Sequence, residues 1–90
     1  MAILLYQLGI FNEMPSKVFM DADYISLRNG LELLQQQYHF PLEEIITEEG
    51  KLHHQLVILI NGVSIDKAQG LETFIRDGDK VLLTGLVSGG

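Results

Sequence analysis

Cysteine is absent from all 90 residues, which removes a disulfide framework, a cysteine-built zinc site and a thiol nucleophile together. Positive charge is scarce: six Lys and Arg stand against twelve Asp and Glu, for a formal net charge of −6 and a pI near 4.8. That balance opposes the phosphate-neutralising surface a nucleic-acid binder needs, so no nucleic-acid partner is expected. An acidic surface keeps a protein in solution and can steer it to a basic protein partner. Long apolar runs are missing too. The run Leu56 to Ile60 is far short of the roughly 20 residues that span a bilayer, and MAILLYQLGIF lacks the basic start of a secretory signal. No membrane partner and a cytoplasmic location are therefore expected. No Pro/Gly/Ser-rich linker divides the chain, and two cores would each be too small, so residues 1–90 are expected to form one domain.

What is present is patterned. Hydrophobic residues make up 47%, well above the composition of disordered chains. AILLYQLGIF and KVFMDAD (Lys17 to Asp23) read as two strands of a hairpin, with Val18 and Met20 inward. Ser26 is placed to cap a helix whose Leu27, Leu31, Leu34 and Tyr38 recur at spacings of four, three and four. Gly30 lies inside that helix at a propensity cost of about 1 kcal/mol. Either it is tolerated, or its missing side chain lets the helix approach a sheet closely. Pro41 is expected to end the helix. The stretch PLEEIITEEGKLHHQ reads as an acidic connection with one helical turn around Leu42 to Ile46.

Leu56 to Ile60 follows as a strand, then Asn61-Gly62, the pair suited to a type I′ turn, and a short partner at Val63 to Ile65. Asp77-Gly78-Asp79 makes a tight turn into a last strand, Lys80 to Thr84, with Val81 and Leu83 on one face. The expected order is strand, strand, helix, strand, short strand, strand: an α+β fold with the helix on one sheet face. The simplest closure sets the last strand beside the first in the sheet centre, as in the ubiquitin-like β-grasp.

The chain ends LVSGG. Taken alone, Gly89-Gly90 reads equally as a frayed end, an expression remnant or a working terminus. Glycine, lacking Cβ, lets another backbone approach closely, so two in succession can thread a narrow channel. Residues 86–90, if extended as a flexible tail, would reach about 16 Å from the domain. Leu86 and Val87 suit the mouth of such a channel, although Leu86 could equally cap the core.

From VILINGVSI through LETFIRDGDKVLLTGLVSGG, the Asn-Gly turn, the Asp-Gly-Asp turn, the strand and the terminal Gly-Gly stand in one order. In this the sequence resembles the ubiquitin-like β-grasp sulfur carriers and modifiers: the molybdopterin synthase small subunit, the thiamine-pathway sulfur carrier and the small archaeal modifiers. Leu31 to Tyr38 and Gly50-Lys51-Leu52 resemble the small-subunit group's helix end and following loop. The resemblance implies a mixed sheet of four to five strands with one main helix, and a carrier rather than an enzyme. It implies that Gly90 is the reactive residue, and that Gly89, Ser88, Val87 and Leu86 thread a partner's active site. The carrier would bind no cofactor itself. A ubiquitin-activating-type adenylating enzyme would use ATP on the Gly90 carboxylate, which is ionised at neutral pH and a poor electrophile until activated.

Sulfur would then give a thiocarboxylate. An amine would instead join Gly90 to a lysine of another protein, and a non-covalent binding module would need no reactive end. The preferred expectation is the small subunit of a molybdopterin synthase, which adds that enzyme's large subunit as a partner and molybdenum cofactor biosynthesis as the pathway. One departure stands out: where those subunits commonly carry an aromatic and prolines, this chain has Thr84-Gly85-Leu86. Thr84 is thus the candidate partner-docking position. The basic residue that precedes Gly-Gly in ubiquitin is also missing.

Other residues carry less. His53 and His54 would point to opposite faces of a strand, and His39 lies at a helix end, so no metal site is expected. Glu43-Glu44 and Glu48-Glu49 read as solvated charge rather than paired catalytic carboxylates. Lys17, Lys51, Lys67 and Lys80 read as solvated lysines before acceptors for modification. The glycine spacing fits neither a dinucleotide nor a P-loop fingerprint.

Overall fold

A computed structural model describes residues 3–8 and 14–85. The strands are β1 (Ile3–Gln7), β2 (Lys17–Met20), β3 (Tyr24–Ser26), β4 (Leu56–Ile60), β5 (Val63–Ser64), β6 (Phe74–Arg76) and β7 (Lys80–Gly85). The helices are α1 (Leu27–Tyr38) and the single turn α2 (Leu42–Ile45), with 3-10 turns at Ile65–Lys67 and Gly70–Glu72. Five strands form one mixed sheet in the order β2-β1-β7-β4-β5, and β3 pairs with β6 in a two-stranded sheet. The last strand lies at the centre, parallel to β1 and antiparallel to β4. This is the ubiquitin-like β-grasp.

Alternation sorts each strand between two faces. Ile3, Leu5, Val18, Met20, Ile58, Val81 and Leu83 are buried, and the buried Leu27, Leu31 and Leu34 of α1 join them in one core. Ser26 caps α1 by accepting a 3.2 Å bond from the Asn29 N–H. Gly30 is a close-approach position: a Cβ there would stand 2.9 Å from the Met20 Sδ of β2. Helix and sheet edge pack at a distance that alanine would press against.

The helix ends at Tyr38, three residues before Pro41, with His39 at its end as the sequence suggested, but the residue that closes it is the histidine and not the proline. His39 takes the left-handed conformation at φ 59° and its N–H bonds Gln35 O, which closes the last turn. Pro41 stands instead at the N-cap of α2. Asn61 and Gly62 both have positive φ, 52° and 86°, as a type I′ turn requires. This turn is tied to the turn at Asp77-Gly78-Asp79. Asn61 Nδ2 donates to Asp79 Oδ1 at 2.9 Å, Lys80 N–H donates to Asn61 Oδ1 at 3.0 Å, and Arg76 N–H donates to Asp79 Oδ2 at 2.9 Å.

Three expectations change. The second strand ends at Met20, because the Ala22 N–H turns back to Met20 O. The partner of β4 is only Val63–Ser64, since Ser64 caps the 3-10 turn that takes up Ile65. The β3–β6 pair was not anticipated at all. The first strand, expected to run to residue 11, is described as far as Gln7.

Candidate functional site

The root of the C-terminal segment is the end of β7, and it is gripped from both sides. On one side Leu5 pairs with Val81 and Gln7 with Leu83, and Leu8 N–H donates to Leu83 O at 3.1 Å. On the other, Val57 pairs with Thr84 and Leu56 with Gly85. A central strand paired with β1 through Leu83 and with β4 through Gly85 makes a stiff base for whatever follows. Leu86, Val87, Ser88, Gly89 and Gly90 lie outside the described residues.

Gln7 stiffens the same end. It is buried on the core face, and its Nε2 donates to Met14 O at 3.0 Å and Pro15 O at 3.1 Å, while its backbone N–H donates to Ser16 O. A buried amide is costly unless it is bonded, so these contacts fix the chain entering β2 beside the root.

The sheet face away from α1 is open. Leu4, Tyr6, Phe19, Val57, Leu59 and Leu82 occupy its outward positions, and Phe19 stays 55% exposed. Thr84, half-buried, lies at the root end of this surface, one position past Leu83. Lys17 sits on it as well, with Nζ 5.5 Å from the Tyr6 ring centroid. Half-buried apolar side chains gathered around an exposed Phe19 form one continuous face of the kind that meets a partner.

Residues 10–90 match the ThiS family. The chain belongs to this family. A candidate sulfur carrier protein of Archaeoglobus fulgidus is 35% identical over 71 residues, covering 79% of this chain and 81% of that protein. Among solved structures, the chain resembles one from the BexX/CysO complex of Amycolatopsis orientalis. The TM-score is 0.82 at 20% identity, over 99% of this chain and 100% of the other. It also resembles SAMP1 from Haloferax volcanii, with TM-score 0.75 at 22% identity over 99% of each chain. The β-grasp fold of this ThiS-family chain is therefore shared with both solved structures, and the Archaeoglobus relative is a sulfur carrier in name.

The sites set aside in the sequence look different in the fold of this ThiS-family chain. His53 and His54 lie in the turn before β4, not on a strand, and their rings stack at 4.7 Å instead of diverging. His53 Nδ1 accepts the Gln55 N–H, and His53 N–H donates to Ile45 O. No three His, Asp or Glu side chains gather as a metal site among the described residues. A groove of about 390 Å³ near the start of α1 is lined by Arg28, Lys51, Asp66 and Glu72 among others. Its guanidinium is engaged internally, Nε with Glu72 at 2.7 Å and Nη2 with Gly50 O at 2.7 Å. No helix among the described residues is long and apolar enough to cross a membrane.

Sequence reasoning missed Gln7 and the open face. In β1 both faces are apolar, so period-two alternation gives no contrast. The available signal was the outward set Lys17 and Phe19 opposite the inward Val18 and Met20.

Proposed function

We propose that this chain is a sulfur carrier whose Gly90 carboxylate is adenylated and then converted to a thiocarboxylate. A carboxylate oxygen of Gly90 attacks the α-phosphorus of ATP, and pyrophosphate leaves. A sulfur nucleophile at the hydrosulfide level then attacks the acyl carbon, and AMP leaves with the bonding electron pair. The partner supplies ATP, sulfur and catalysis. The carrier supplies the acyl group on a stiff root and an apolar face to hold the complex.

The observation that carries this reading is the β7 root, paired with β1 through Leu83 and with β4 through Gly85, and separated from Gly89-Gly90 only by Leu86, Val87 and Ser88. Docking through the open face, with Thr84 at its root end, would aim residues 86–90 into the partner's active site. The BexX/CysO structure, a complex that contains the CysO chain, supports a partner enzyme in general terms. The specific assignment is the small subunit of a molybdopterin synthase in molybdenum cofactor biosynthesis, with the large subunit as second partner.

Intact mass after incubation with the cognate adenylating enzyme, ATP and a sulfur donor tests the chemistry. The expected result is the oxygen-to-sulfur increment on the full chain and none on a chain lacking Gly90; its absence from the full chain, with a working control carrier, refutes sulfur carriage. Conjugation of Gly90 to lysines of other proteins is the second reading, supported by the likeness to SAMP1, a small archaeal modifier in name. Glycine remnants on lysines in a cellular digest would favour it.

A further inference from the structure

The charges of this chain are sorted by surface. Twelve Asp and Glu outnumber six Lys and Arg, yet none of the twelve falls within the five strands of the main sheet. The charged residues in those strands are Lys17 and Lys80. Both alternate with buried core residues, Val18 and Val81, so both point to the open face, and both are exposed. Strands disfavour Glu and Lys to a similar degree and Asp more, so propensity explains few charges there but not the absence of Glu beside two lysines.

We infer that the partner's docking site presents an apolar centre flanked by two separate carboxylates, one for Lys17 and one for Lys80. The inference rests on the carrier reading above and names the chemistry of its partner. Lys17 lies level with Tyr6 on edge strand β2, and Lys80 lies level with Leu4 on β7, two strands away. Two strand spacings and two residues of rise separate the lysine Cα atoms by about 12 Å. At that spacing each ammonium has room for its own carboxylate, one on either side of the apolar residues between them. The apolar residues Leu4, Tyr6 and Leu82 lie between them.

The arrangement reverses what net charge suggests. A chain of −6 taken as a whole would approach a basic partner, whereas its open face selects an acidic one. Acidic loops and helices elsewhere on the molecule then repel the same docking site and disfavour wrong orientations.

The test measures ATP–pyrophosphate exchange by the cognate adenylating enzyme as the full-length carrier is varied. Lys17→Glu and Lys80→Glu should each raise KM about tenfold with kcat retained, and the double variant should raise it further. Lys17→Arg and Lys80→Arg should stay near wild type, and Lys→Gln at both sites should flatten the rise of KM with salt. Melting temperatures of all variants should match wild type, because both side chains are exposed. A KM within about twofold of wild type for both reversals, or a lowered KM, overturns the inference and leaves carriage intact. No exchange with the wild-type chain, under conditions where a control carrier works, overturns both.

Discussion

Strand β7 has two sides with different work. Val81 and Leu83 are fully buried against the helix side, while Leu82 and Thr84, between and beyond them, face the open side half-exposed. A single residue step along one strand therefore separates what holds the fold from what is free to meet a partner. The pairing that grips β7 joins the two, because a docking surface and a tail root on one strand keep a fixed relation to each other.

The sharpest way to break this comparison is to remove Gly89 and Gly90. All mass gain with the adenylating enzyme should vanish while the thermal midpoint is unchanged, and retained gain would refute the assignment of Gly90. Next in size, Leu83→Ala should destabilise by about 2–5 kcal/mol in chemical denaturation, as for other buried leucines. A loss under about 1 kcal/mol would mean that the inward side of β7 is not a packed core. Gly30→Val should cost about 1–3 kcal/mol by pressing on Met20, with Gly30→Ala smaller because helix propensity offsets the clash. Asp79→Ala removes the acceptor for Asn61 Nδ2 and Arg76 N–H and should cost about 1 kcal/mol in the same measurement. Smallest for stability is Phe19→Ser on the open side, within about 0.5 kcal/mol. Its KM for the adenylating enzyme should nevertheless rise, and an unchanged KM would count against docking through this face.

The elements with a strong period or a specific turn were legible in the sequence. The leucines of α1, the Asn61-Gly62 turn, the inward pair Val18 and Met20, and the central place of the last strand all stand in the fold as read. The short β3–β6 pair was not legible, because three residues hold no period, and its place depends on contacts such as Leu27 N–H to Thr73 O at 2.8 Å. The stop of α1 was placed correctly at His39 but assigned to Pro41, because a histidine gives no sign in the sequence that it will take the left-handed conformation. Of the candidate site, the sequence disclosed the strand that leads to the C-terminal segment, while residues 86–90 themselves lie outside the described residues. It hid the open face, since a central strand is apolar on both sides and its outward residues look like core. It also hid Gln7, whose value lies in carbonyls seven and eight residues away.

The strand that fills the middle of the sheet is the last of its five to leave the ribosome. Until β7 exists, the β1–β2 and β4–β5 pairs have no strand to join them, and each remains a marginal two-stranded ribbon. Sheet closure thus awaits a long-range pairing of the chain's two halves, a slow step in folding. A nascent or interrupted chain would have neither a joined sheet face nor a supported root. Synthesis through β7 becomes its own checkpoint before the open face can meet any partner.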